Sequence, residues 1–298
     1  MKEVGRFANA AAFRQALETR LNGRARREGV DVQRLRRQVA FARLLCRIFS
    51  ESAGRWALKG GYAMELRIAG ARTTRDIDLA LCQRLPSHGE PIDVQILKML
   101  QTSAGQDKGD FFVFSIGEPI LDLDGAPYGG ARYPVECRMA GREFARFHLD
   151  AGAGDTVIGP LEEIHGQPWL DFAGIPPAIC LVQPREQQFA EKLHAYSLPR
   201  ADRLNSRVRD LVDMVLLIRG GMDASRLVSA IEKTFGRRKT HALPRRLDPP
   251  PTVWATPFAE LARECGLPTD VGSGFENVAS FVSSLNLAAM DHSARRRS

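Results

Sequence analysis

Cysteine is scarce and scattered in this chain. The five cysteines stand at 46, 82, 137, 180 and 265, and no two form the Cys-x-x-Cys pair of a metal or redox site. An odd, dispersed set fits a reducing compartment rather than a disulfide scaffold. No apolar run approaches the ~20 residues that a membrane-spanning helix needs. Met1, Lys2 and Glu3 open the chain without the apolar segment of an export signal, so the expected location is cytoplasmic, with no membrane partner. There is no Gly-x-x-x-x-Gly-Lys-Ser/Thr, which argues against a P-loop ATPase. No serine lies in a nucleophile-elbow sequence, so hydrolase chemistry has no support. The six histidines form no metal set; His148 in a strand and His194 on a helix read as packing or surface residues.

What is present is an ordinary globular composition with a basic surplus. The 298 residues are 44% hydrophobic and carry a net charge of +7, mostly through arginine. Such a surplus fits a polyanionic partner without identifying one. The length allows two modest domains. Residues 31–52 predict a helix: Asp31 is a plausible N-cap, and Leu35, Val39, Ala42, Cys46 and Phe49 make one apolar stripe. Arg34, Arg36, Arg37, Arg43 and Arg47 fall mostly off that stripe. A solvated face is the plainer reading of them, and an RNA-facing rim is the alternative.

Between Lys59 and Leu79 two features stand close together. Gly60 and Gly61 lead from a short strand (56–58) into a short helix (63–68). Asp76 and Asp78 then lie on an apolar strand (77–81). A glycine pair lets backbone N–H groups approach a phosphate with no side chain in the way. Carboxylates at i and i+2 of a strand share one face, where they can hold Mg²⁺. An Asp-x-Asp alone is a weak signal, but glycines about fifteen residues upstream strengthen it. A helix at 91–104 and strands at 111–116, 135–139 and 144–150 follow, with a turn-rich stretch at 122–130. The expected fold is α/β (α+β): a small mixed sheet with flanking helices.

Prolines at 160, 168, 176, 177 and 184 disfavour continuous helix and place an expected boundary near 160. Residues 1–160 would be the sheet domain with N-terminal helices, and 161–298 a helical lobe with helices near 185–197, 206–219, 223–235, 256–265 and 275–288. Residues 236–251, with Arg237, Arg238, Lys239, Arg245 and Arg246, read as an exposed basic loop. The tail 294–298 reads as disordered.

Four segments in order carry a family resemblance: Lys59-Gly60-Gly61, Arg75-Asp76-Ile77-Asp78-Leu79, Glu191-Lys192-Leu193-His194-Ala195 and Arg209-Asp210-Leu211-Val212-Asp213. Together they resemble the AbiEii/AbiGii toxin family of DNA-polymerase-β-like nucleotidyltransferases, which includes the MenT toxins that modify tRNA 3′ ends. The resemblance runs from about 35 to 220. It implies a nucleotidyltransferase sheet, an NTP substrate, Mg²⁺, an RNA acceptor with tRNA foremost, and a cognate antitoxin. It also implies a two-metal phosphoryl transfer with Asp76 and Asp78 as metal ligands and catalytic residues. Asp150 is the candidate third metal carboxylate, though a strand-end acid capping a turn explains it equally. Lys192 would contact the triphosphate and Asp210 would complete the catalytic set. Lys59, Gly60, Gly61 and Tyr62 would bind the nucleotide. At Tyr62 the chain departs from the family, which usually has a short hydroxyl side chain there. Either backbone amides suffice, with the ring free to stack on a base, or nucleotide binding is altered. Two other readings stay open: nucleotidylation of a protein or small molecule, and a catalytically weak protein that binds RNA or an antitoxin.

Overall fold

The computed structural model describes residues 7–50, 54–85, 89–123, 127–154, 157–200 and 204–285. The chain divides into two units. The first takes in residues up to Leu66, then Thr73–Val157 and Leu161–Val182; the second takes in Arg67–Arg72, Ile158–Pro160 and the chain from Gln183 onward.

The first unit is built on one mixed sheet. Its strands are β1 (Trp56–Lys59), β2 (Asp76–Leu81), β3 (Phe112–Ile116), β4 (Leu121–Asp122), β5 (Gly130–Met139), β6 (Arg142–Ala153), β7 (Glu162–His165) and β8 (Ile179–Val182). They lie in the order β3-β5-β6-β2-β1-β8-β7, with β4 paired to β5. The pairs β2–β6 and β1–β8 are parallel, and the rest are antiparallel. Helices α1 (Ala10–Glu28), α2 (Val32–Ser50), α3 (Gly60–Arg67) and α4 (Ile92–Ala104) accompany the sheet in sequence. The core joins the inner sides of α1 and α2 to the sheet, with Phe13, Leu17, Val39, Leu44, Trp56, Ile77, Leu79 and Leu149 fully buried. In α1 the apolar positions Phe13, Leu17 and Leu21 fall four apart, which keeps one face inward in an otherwise polar helix.

Two expectations are corrected here. Residues 162–165 and 179–182 are strands paired to each other, and β8 also pairs with β1. The sheet unit therefore continues to Val182 rather than ending near 160. The prolines that suggested a boundary lie outside both strands: Pro168, Pro176 and Pro177 between them, and Pro184 just before α5. A proline-rich stretch breaks helix, but it can hold short strands between its breaks.

The second correction concerns the arginines of α2. Arg43 and Arg47 are buried, not solvated. Arg47 donates to both oxygens of Asp110, at 2.7 and 2.9 Å, and Arg43 Nε donates to Oδ2 at 2.7 Å. Arg47 further satisfies the carbonyls of Arg43, Gln106 and Phe112. Because α2 is buried on more than one side, its polar side chains had to find partners inside.

The second unit is helical: α5 (Arg185–Ser197), α6 (Val208–Gly220), α7 (Ala224–Arg238), α8 (Ala255–Glu264) and α9 (Val271–Ser284). The first four match the expected helices within about three residues; α9 begins four residues before its expected start, and residues 286–288 of that expectation lie outside the described residues. Asp223 and Asp270 cap α7 and α9 by accepting backbone N–H groups two or three residues on. Of the expected basic loop, Arg237 and Arg238 instead end α7, while Lys239, Arg245 and Arg246 are exposed as expected; the stretch is nonetheless anchored. Leu247 is buried, the Tyr196 hydroxyl donates to the Asp248 carbonyl, and His241 shares hydrogen bonds with Ser197 and Thr240. The tail 294–298 lies outside the described residues.

The Arg43–Asp110–Arg47 cluster yields a first prediction. Burial pushes the Asp110 carboxyl up, but the hydrogen bonds and charges of Arg47 and Arg43 more than offset this and hold it below its ordinary value. A carboxylate depressed in the folded state stabilises the fold above its unfolded pKa, and that stability is lost as pH falls through the folded value. Asp110→Ala leaves two buried guanidinium groups without their anion and should cost about 3–5 kcal/mol. Urea denaturation at neutral pH measures that loss. The gap between variant and parent should narrow below about pH 4; a gap unchanged with pH would mean that packing, not charge, was removed.

Candidate active site

The row of charges across the first unit's sheet follows from strand register. Asp78 of β2 is the Cα partner of Asp150 on β6 and of Lys59 on β1, and Asp150 is the partner of Arg132 on β5. Paired residues share a face of a sheet. Arg132, Asp150, Asp78 and Lys59 therefore stand side by side across four strands. One step along, Asp76 pairs with His148. Period-two alternation puts Asp76 and Asp78 on this face and sends Ile77 and Leu79 into the core.

The two aspartates are partly exposed rather than buried, and the Asp76 side chain keeps about a third of its surface (33%). Asp76 Oδ1 lies 3.4 Å from His148 Nδ1, and its Oδ2 lies 3.8 Å from Arg132. Arg132 holds Asp150 in a two-pronged contact, Nε to Oδ1 at 2.8 Å and Nη2 to Oδ2 at 2.7 Å. The Asp150 hydrogen bond raises the Arg132 pKa, and the charges of Asp150, Asp76 and Asp78 add to the rise, so this guanidinium stays a cation. Both oxygens of Asp150, the candidate third metal carboxylate, are thus engaged by the Arg132 guanidinium.

Among the described residues, no group of three His, Cys, Asp or Glu side chains is arranged to hold a metal ion. Two hard carboxylates still fit Mg²⁺, which is commonly held by one or two carboxylates plus substrate phosphates rather than by an all-protein cage.

Beside Asp78 the backbone comes unusually close. Gly60 has φ +66, and a Cβ built on it would fall 2.0 Å from Asp78 Oδ2. Only glycine adopts that conformation at little cost and leaves that space. Gly60 opens α3 and follows the last residue of β1, so the glycine turn and the acidic pair are neighbours in space as well as in sequence. Tyr62 does not face this space. Its side chain is buried, its ring meets Phe41 edge-on at 5.0 Å, and burial raises its hydroxyl pKa. The ring is thus packed in the core, and of the two readings of Tyr62 the burial favours the one that relies on backbone amides.

In the second unit, Lys192, Asp210 and Asp213 come together. Lys192 Nζ is 2.6 Å from Asp213 Oδ2 and 3.3 Å from Asp210 Oδ1. Asp213 is wholly buried and also takes both prongs of Arg72, at 2.8 and 2.9 Å. Burial works against the charge of Lys192 and of Asp213, but the opposite charges prevail, raising the lysine pKa and lowering that of the aspartate. Asp210 also lies 3.7 Å from Arg207. Arg132, His148 and Arg72 are thus site residues with no signal of their own in the sequence. Each becomes visible only once strand register or helix packing supplies its partner.

The family model described as "Nucleotidyl transferase AbiEii toxin, Type IV TA system" matches residues 43–268. The structure resembles MenT4, a nucleotidyltransferase toxin of Mycobacterium tuberculosis H37Rv, with a TM-score of 0.57 and 16% identity over 91% of this chain and 89% of that one. It also resembles JHP933 of Helicobacter pylori, with a TM-score of 0.45 and 17% identity over 89% and 98%. No curated protein sequence matches the chain.

Two substitutions probe this geometry. Gly60→Ala must strain the left-handed backbone and push against Asp78, at a cost of about 1–3 kcal/mol. Chemical denaturation measures it, and a variant as stable as the parent would mean that residue 60 and Asp78 do not touch. Asp213→Ala leaves two buried cations facing each other and should cost about 3–5 kcal/mol. A loss below 1 kcal/mol would show the network to be wet and weak.

Proposed function

The chain belongs to the AbiEii family of nucleotidyltransferase toxins, and on that footing we propose that it transfers a nucleotide from an NTP to the 3′ hydroxyl of an RNA, tRNA being the first candidate. In that reaction the hydroxyl oxygen bonds to the α-phosphorus, the bond to the β-phosphate breaks, pyrophosphate leaves and the hydroxyl proton is released. The observation that carries the reading is the contact between Gly60 and the Asp78 carboxylate. It brings the glycine turn and the acidic pair to the same place, which supports a phosphate and a cation being handled side by side.

In this reading Asp76 and Asp78 hold Mg²⁺, and a divalent ion bound there supplies stabilisation of the charge that builds on the phosphates. Gly60 and Gly61 offer backbone N–H groups to the triphosphate at the start of α3. Lys59, at the end of β1 and opposite Asp78 in register, adds a positive charge beside it. Arg132 balances the carboxylates and fixes Asp150. Lys192 and Asp210 are proposed to act on the nucleotide, Lys192 as a cation held by the two aspartates of α6. The family's description places its members in type IV toxin–antitoxin systems, so a cognate antitoxin is part of the proposal. Among the described residues no helix is long and apolar enough to cross a membrane.

Incubation with α-labelled NTPs, total RNA and Mg²⁺ tests the reading. Label should enter RNA and vanish with chelator. Asp76→Ala and Asp78→Ala should each lower transfer by at least about 10²–10³-fold, the scale for removing one preorganised electrostatic group, with thermal melting unchanged. Parental activity in both variants would sink the acidic pair as the metal site. Label in protein rather than RNA would overturn the acceptor.

A further inference from the structure

A groove of about 710 Å³ opens beside Asp76, with its lining wholly within the first unit. Its position comes from a mismatch in strand length. β6 pairs with β5 along nearly its whole length, but β2 joins it only from His148 onward. The groove is lined by Asp76 and His148 at the point where β2 begins, by Pro134 and Phe147 from the flanking strands, and by Arg37 of α2 and Arg75.

The charges in it are unbalanced. Arg146 and Glu136, which also line it, pair with each other at 3.3 Å. Among the described residues neither Arg37 nor Arg75 forms an ion pair; Arg37 Nε is buried with no hydrogen-bond partner, and Arg75 is exposed. A buried guanidinium N–H without an acceptor is costly, and a phosphate oxygen is an acceptor that suits it. Ile116, Pro134, Val135 and Phe147 add apolar surface to the lining, which suits the face of a base. The volume falls in the range of pockets for one small ligand, about 300–1,000 Å³, so it suits a terminal nucleotide and its neighbour rather than a protein surface.

The two substrates can then be told apart by sheet order. The glycine turn lies on the β1 side of β2, and the groove on the side of β6, β5 and β3. In phosphoryl transfer the attacking and leaving oxygens stand roughly in line, on opposite sides of the phosphorus. With the triphosphate at Gly60–Gly61, the attacking hydroxyl must approach from the groove. We propose that this groove is the acceptor subsite: Arg37 and Arg75 grip phosphates next to the 3′ end of a single-stranded RNA, and the terminal base lies on the apolar floor, with its ribose at Asp76. This rests on the transfer reading above.

The test separates binding from transfer. Binding of a 5′-fluorescein single-stranded RNA octamer to the full chain, without NTP, is followed by anisotropy across a salt series. Arg37→Gln and Arg75→Gln should each make the slope of log K against log salt shallower by about 0.7, one phosphate contact on a single strand. Each should raise the KM for RNA by about three- to tenfold and leave the KM for NTP and the melting temperature unchanged. A raised KM for NTP with an unchanged KM for RNA would overturn the assignment and make the groove the triphosphate site. RNA binding unchanged in both variants would also overturn it, while leaving the transfer reading intact. If the parent binds the octamer through Arg37 and Arg75 but labels no RNA, the transfer reading falls and the groove keeps its ligand.

Discussion

The closeness of residue 60 to the Asp78 carboxylate is the constraint on which the candidate site depends. It requires glycine twice over, because the backbone there is left-handed and because the aspartate fills the space a Cβ would take. It also requires β1 and β2 to pair in one register, with Lys59 opposite Asp78. A slip of one residue would turn the acids into the core and Ile77 and Leu79 outward. The apolar side chains of β2 thus hold the acidic pair in place, since their burial makes every other register costly.

The second feature is how the sheet manages charge. Three carboxylates on neighbouring strands would repel strongly if left alone. The register instead interleaves cations, with Arg132 at one end of the row and Lys59 at the other. Arg132 is fixed by Asp150 and keeps within 3.8 Å of Asp76. The acidic pair is therefore tolerated at moderate exposure by its neighbouring cations. The helical unit solves a similar problem differently. There Asp213 is wholly buried between Arg72 and Lys192, and each cation is held by the anion it stabilises. Such a cluster fixes side chains in one geometry, and losing one partner costs more than the pair contributes.

Much of this was legible in the sequence. Gly60, Gly61, Asp76 and Asp78 announce themselves by residue type and spacing, and the helices after Arg185 follow from their apolar stripes. These are local signals, in which a period of two or of 3.6 and a few turn residues decide the outcome. The strands at 162–165 and 179–182 were illegible because both are short and set among prolines, and because the second joins the sheet through β1, more than a hundred residues earlier. The burial of Arg43 and Arg47 was illegible because it depends on Asp110, more than sixty residues away.

The sequence by itself determined the chemistry at the start of the site: a turn only glycine can make and two acids on one strand face. Covalent geometry and side-chain alternation settle such things within a few residues. Tertiary structure alone decided what surrounds them. It placed Arg132 on Asp150, turned Tyr62 inward against Phe41, joined Lys192 to Asp213, and opened the groove beside Asp76 where β6 outruns β2. Each of these pairs residues from separate elements, and which pairs meet is fixed by strand register and helix packing, which no local pattern encodes.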